Sequence, residues 1–262
     1  MTVKGEALTD IVAVSAGISH SLALRKDGTV VGWGGNRYGE STVPVGLSNV
    51  VAVSANYFSM ALKKDGTVTS WASYYPNNLP TGWSNVVAIA EGGEDCVIAL
   101  KGDGKVIGWG QTVVPENWTN IIAIDCAKDR FGDNLALTSN GTVLTWGHYG
   151  IKSLGLTNIV AISAGARHCL ALNRDGSVVE WSTGDNTPKS VAGLNNVVAV
   201  AATGGAASGT ALKDDGTVVI WGFNPYHWMD VPTGLSNVVA IAGGSGFCLA
   251  ITTNRTVADK FR

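Results

Sequence analysis

Glu91, Glu94 and Asp95 are followed, one internal repeat later, by Asp129, Arg130 and Asp133. Paired carboxylates can hydrolyse a glycoside, one as acid and one as base or nucleophile, or they can hold Ca²⁺. The stretch DRFGDN (129–134) lacks the ligand spacing of a calcium loop. The cluster is therefore read as a solvated acidic rim that steers a basic partner. His20 and His168 stand in one column of the repeat. As metal ligands they would have to meet across the ring from distant copies with no carboxylate to help, so a structural role is expected. The sequence contains no G-x-S-x-G, no H-E-x-x-H and no P-loop. No enzyme and no cofactor are expected.

The elements that must position these residues are written seven times. IVAVSAG at 11 returns at 50, 86, 121, 159, 197 and 238, at intervals of 35–41 residues. Such a period marks a solenoid or a propeller. Each copy predicts four short strands. The first is the VVAV run, apolar on both faces. The second is the SLAL run. The third, as in TVVGW, follows a D-G or N-G hairpin whose residues tolerate positive φ. The fourth is weaker and ends in a GLSN-type connector. A column of seven alanines (Ala23 to Ala250) lets neighbouring sheets approach. Trp33, Trp71, Trp109, Trp146, Trp181 and Trp221 are read as wedges between sheets. The expected fold is all-β, a seven-bladed propeller spanning 1–262 as one domain. The last copy stops short of its fourth strand, and TVKGEALTDIV at the start aligns with TVPVGLSNVV. The N-terminal strand is expected to close blade seven and cover its edge.

An up-and-down path puts the D-G hairpins and GLSN connectors on one face and two unequal loops per blade on the other. All six tyrosines and all four histidines fall in segments of that second face. Aromatic and arginine side chains on variable loops over a rigid frame make a recognition surface. The candidate partner-binding residues are Arg37, Tyr38, Tyr57, Phe58, Tyr74, Tyr75, Arg130, Phe131, His148, Tyr149, Arg167, Tyr226, His227 and Trp228.

Composition narrows the partner. The formal net charge is −2 and no basic tail or patch is visible, which argues against nucleic acid. No apolar run approaches the length of a membrane span. The start, MTVKGEALTD, shows no signal-peptide core, so the protein is expected to be cytoplasmic or a processed secreted form. The four cysteines form no CxxC pair and are read as buried thiols, not as a disulfide framework or zinc site.

The stretch AGISHSLALRKDGTVVGWGGNRYGE (16–40) resembles the repeat of the RCC1 superfamily of propellers. The short form with WGGNRYGESTVP is similar to the bacterial β-lactamase-inhibitory protein II type. The resemblance covers essentially the whole chain and implies the propeller fold. In the inhibitor type, loop aromatics and acidic residues hold a target enzyme, and Arg37, Tyr38, Tyr57 and Phe58 match those loops by motif position. The expected function is binding of one macromolecule, a protein, by a monomer through the variable face. The alternatives are a lectin, which would bind carbohydrate, and an enzyme inhibitor. Propeller lectins reuse one pocket per blade, and these loops differ from blade to blade.

Overall fold

The computed structural model describes residues 2–3, 6–72, 83–93, 96–110, 113–185, 187–204, 208–223, 230–253 and 257–258. Among them there is no helix, and after a two-stranded N-terminal pair seven antiparallel sheets of three or four strands follow one another along the chain. The inner strands of blades one to seven are Ile11–Ala16, Val50–Ala55, Val86–Glu91, Ile121–Asp125, Ile159–Ala164, Val197–Ala202 and Val238–Gly243. Each lies against the next, and the seventh lies against the first. The protein is a closed seven-bladed β-propeller.

The repeated hairpin residues have a uniform role. In each of six hairpins the Asp or Asn side chain accepts the backbone N–H two residues on, as Asp27 Oδ1 does from Thr29 at 2.9 Å. The connectors are equally regular. Asp10, Asn49, Asn85, Asn120, Asn158, Asn196 and Asn237 all adopt φ between 55° and 61°, a conformation that Asn and Asp tolerate. The alanine column is buried throughout, and the tryptophans sit between blades: Trp71, Trp146 and Trp181 buried, Trp33, Trp109 and Trp221 half-buried.

Two expectations change. The VVAV run does have a wet side. Its second residue is skipped by a register shift in every blade, so that Ile11 and Ala13 pair while Val12 does not. This bulge turns Val12, Val51, Val87, Ile122, Val160, Val198 and Val239 outward, 41–57% exposed. A fourth strand pairs in blades four and five only, through Lys152–Ser153 and Lys189–Ser190, among the described residues. In blade one the corresponding STVPV run carries Pro44, which has no N–H to give a ladder, and it stays a turn.

Closure between blades seven and one is direct. Ser245 N–H donates to Gly17 O at 3.1 Å. Leu8, fully buried, packs with Ile11, Ala16 and Ala23 of blade one and Leu249 and Ile251 of blade seven. Asp10 joins the connector column, with Lys26 N–H donating to its carbonyl at 2.8 Å. Upstream, Thr2–Val3 pairs with Glu6–Ala7 in a hairpin of its own, and blade seven's third strand is Val257–Ala258. Among the described residues no N-terminal strand pairs with blade seven, so the expected closing strand is not seen, and the seam is held by Leu8 packing and the Ser245–Gly17 bond instead. Leu8→Ala is expected to lower the unfolding free energy by about 2–4 kcal/mol in urea denaturation, the range for a fully buried leucine. A loss below about 0.5 kcal/mol would mean that the seam holds without it.

Candidate recognition face

The loop face is stitched together before it presents anything. Backbone N–H groups donate across blade boundaries from Ile18 to Asn56 O, Gly93 to Ala127 O, Lys128 to Gly165 O, Ala166 to Thr203 O and Gly204 to Gly244 O, at 2.8–3.3 Å. At the blade two to three seam the carboxylate of Glu91 stands where a carbonyl serves elsewhere. Its Oε1 accepts the N–H of Tyr57 at 2.8 Å. Burial pushes this carboxyl well above the ordinary carboxylate range, against the pull of the two N–H donors Tyr57 and Phe58 and of Lys128. Nearer the axis, Ser15, Ser54, Asp125 and Ser163 accept the N–H of the next blade's Ala55, Glu91, Ala164 and Ala202.

The acidic rim expected from sequence is therefore not a solvated rim. Glu91 is buried as a seam bridge, and Asp133 is wholly buried with no hydrogen-bond partner on either carboxylate oxygen. Asp129 is half-buried beside Arg167, Nε to Oδ2 3.5 Å. Glu94 and Asp95 lie outside the described residues. Among the described residues here Arg130, Arg167 and Asp185 are exposed and Asp129 is half-buried.

His20 and His168 are structural, as expected. Both are buried, and each reaches the next blade: His20 Nε2 lies 2.9 Å from Ser59 Oγ, and His168 Nε2 lies 2.9 Å from Ser208 O. Burial lowers the His20 pKa to about 4, with Glu40 opposing. The fold keeps this ring neutral while the unfolded chain protonates it near 6.5. The stability it supports is present above 6.5 and is lost as pH falls from 6.5 toward 4. Against a His20→Gln variant, wild type should lose about 2 kcal/mol of relative stability between pH 7 and pH 4.5, measured by urea midpoints at both. An unchanged difference would contradict a neutral buried ring.

Five candidate residues come together on blades four and five. Phe131, on the loop between the inner and middle strands of blade four, is the centre. The Arg130 guanidinium lies 4.6 Å and the Arg167 guanidinium 5.6 Å from its ring centroid. His148 packs edge-on at 5.3 Å and 83°, and Tyr149 stands edge-on to His148 at 4.9 Å. Lys152, not singled out from sequence, covers the Tyr149 ring at 5.2 Å. Arg130, His148, Tyr149 and Arg167 are exposed and Phe131 is half-buried. Beside this cluster a cavity of about 380 Å³ opens between blades three and four, with Cys96, Asn134 and Trp146 in its wall and Arg130 and His148 at its rim.

The other candidates do not join the cluster. Arg37 lies over Tyr38 at 5.3 Å on blade one, as a separate pair. Phe58 is buried with Met60, Ala72 and Val97, and Tyr57 packs half-buried against them, so Phe58 belongs to the core and not to the surface. Its column points inward because the middle strand starts at Ser59, directly after it. Tyr74, Tyr75, Tyr226, His227 and Trp228 lie outside the described residues.

Residues 11–40 match the family described as Regulator of chromosome condensation (RCC1) repeat. Protein pim1 of Schizosaccharomyces pombe is 29% identical over 191 residues, covering 71% of this chain and 30% of its own. The secretion-regulating guanine nucleotide exchange factor of Mus musculus is 26% identical over 189 residues, covering 55% of this chain and 40% of its own. The chain thus spans well under half the length of these two relatives. Among solved structures, Prp20p of Saccharomyces cerevisiae superposes with a TM-score of 0.72 at 18% identity, covering 92% of this chain and 81% of its own. The CRINKLY WD40 ectodomain of the Arabidopsis thaliana receptor kinase ACR4 gives 0.72 at 19% identity, covering 94% and 92%. Repeat match, relatives and ring architecture agree: the chain is a propeller of RCC1-like repeats.

Proposed function

We propose that the protein binds a protein partner through the loop face of blades four and five. Phe131 and Tyr149 supply the apolar anchors, and Arg130, Arg167 and Lys152 supply charge. The observation that carries this reading is the stack of exposed Arg130, Arg167 and His148 around the half-buried Phe131 ring, built on loops that differ from blade to blade above a stitched frame. Aromatic and arginine clusters are the groups that dominate binding energy at protein interfaces. Because the ring stack itself carries Arg130, Arg167 and Lys152, the partner presents an acidic surface to it, and binding weakens as salt rises. Arg37 and Tyr38 on blade one extend the proposed surface. The names of relatives support a protein partner. The mouse relative is called a nucleotide exchange factor, and the Prp20p structure was reported with binding to Gsp1p and histones. The role is binding and not catalysis.

The test is a pull-down from a lysate of the source cells with the intact protein and with Arg130→Ala/Phe131→Ala/Arg167→Ala, at low and high salt. The reading expects one protein held by the intact form, lost by the variant and weakened by salt. Equal capture by both would overturn it. A glycan array that binds the intact protein while no protein is captured would favour a carbohydrate ligand.

A further inference from the structure

Sequence spacing gives no reason to pair any two cysteines, yet the fold brings two of them together. Cys96 opens the middle strand of blade three, Cys96–Lys101, and Cys126 follows the inner strand of blade four. Their sulfur atoms stand 2.7 Å apart across the seam. One acceptor addresses both: Asn134 Oδ1 lies 3.1 Å from Cys126 Sγ and 3.6 Å from Cys96 Sγ, and it also takes the N–H of Ala127 at 3.0 Å. The backbone closes in from behind. A Cβ on Gly92 would stand 2.5 Å from Cys126 Sγ and 2.2 Å from Ala127 O, so only glycine allows this approach. The two thiols differ in access. Cys96 is half-buried and lines the 380 Å³ cavity, while Cys126 is buried behind it.

We infer that Cys96 and Cys126 are a modification site, a reversible dithiol–disulfide pair that a small-molecule disulfide reaches through the cavity between blades three and four. A disulfide bond is about 2.05 Å long, so the sulfurs have roughly 0.65 Å to close. That is within side-chain adjustment. A linear two-thiolate metal site would need the sulfurs farther apart, which disfavours a soft cation. Oxidised glutathione serves as the oxidant. The Cys96 thiolate, its proton given to solvent, attacks one sulfur of glutathione disulfide. A mixed disulfide forms, and one glutathione leaves as thiolate and takes a proton from solvent. Cys126 then attacks the Cys96 sulfur. The second glutathione leaves and takes up the proton that Cys126 releases. Two protein thiols are oxidised to one disulfide and one glutathione disulfide is reduced to two thiols. Burial holds the Cys126 thiol well above its ordinary range, which suits the order of events: Cys96 reacts first and Cys126 resolves. Cys169 and Cys248 are buried in other seams, Cys169 near Asp133 O and Cys248 near Thr210, and play no part. The inference is independent of any partner at the cavity rim.

The experiment equilibrates the native wild-type protein in glutathione buffers from reducing to oxidising, traps the remaining thiols with an alkylating agent and maps the linkages by mass spectrometry. The expected result is loss of two hydrogens in mass, a single Cys96–Cys126 linkage, and a melting midpoint higher by roughly 5–10 °C than in the reduced protein. Cys126→Ser should arrest as a glutathione adduct on Cys96, and Cys96→Ser should leave Cys126 unmodified. The wild-type mapping stands by itself if a variant fails to fold. Four alkylated thiols at the most oxidising buffer, a stable Cys96 adduct in wild type, or a linkage to Cys169 or Cys248 would each overturn the inference.

Discussion

Replacing Trp146 by alanine should lower the unfolding free energy by about 3–5 kcal/mol. Trp146 is 2% exposed. It fills the seam between blades three and four, packing with Ile98 and Leu100 on one side and Cys126 and Ala136 on the other. Trp118 meets it edge-on at 5.1 Å and 81°. The neighbouring Ala136 has only a methyl group, too short to fill the space, and the blades are tied at fixed spacing by the cross-blade bonds. The cavity therefore cannot collapse, which places the loss at the upper part of the range for an aromatic truncation. Trp33→Ala provides the comparison. Trp33 holds the same column but is half-buried, so its removal exposes less new surface and should cost distinctly less. Urea unfolding monitored by circular dichroism reads both. Equal small losses, below about 1 kcal/mol, would show that the tryptophans are not the wedges of this ring.

Phe131→Ala should weaken partner binding by roughly 30-fold or more, the 2 kcal/mol expected of an interface centre. Arg167→Ala should give a similar loss, because its guanidinium lies over the same ring and beside Asp129. The two share one stack, so the double variant should lose less than the product of the single losses. The melting midpoint should move little in both, since the cluster stands on exposed loops and not in the seams. A control on the opposite face, Thr217→Ala in the uniform hairpin of blade six, should leave affinity unchanged. Titration of the captured partner by calorimetry measures all four. A loss seen equally with Thr217→Ala would mean that the effect runs through stability and not through contact.

What the sequence discloses is what the repeat repeats. The D-G or N-G turns, recurring in six blades, and the alanine column, recurring in all seven, each answer a demand of the blade, so their recurrence reads directly as architecture. The bulge at Val12 and its six equivalents repeats as faithfully, but an added residue changes which side of a strand is wet without changing its composition. Features of single seams were less legible. Glu91 looks like a surface acid until its carboxylate is seen in place of a carbonyl, accepting the Tyr57 N–H. Cys96 and Cys126 are 30 residues apart with no spacing motif, and only the approach of two blades joins them. Phe58 and Phe131 both sit in variable turns. The first faces the core because its strand begins at once, and the second is carried out by a longer loop. The grouping of Phe131, His148 and Tyr149 with Arg130 and Arg167 depends on how two neighbouring blades place their loops, which no spacing in the sequence records.

The central claim is that binding occupies the variable face over blades four and five. A photo-cross-linking amino acid at position 149, and separately at position 215 on the hairpin face, tests it most directly in lysate of the source cells. The account predicts one protein cross-linked from position 149 and none from position 215. The same protein cross-linked from position 215 and not from position 149 would contradict it.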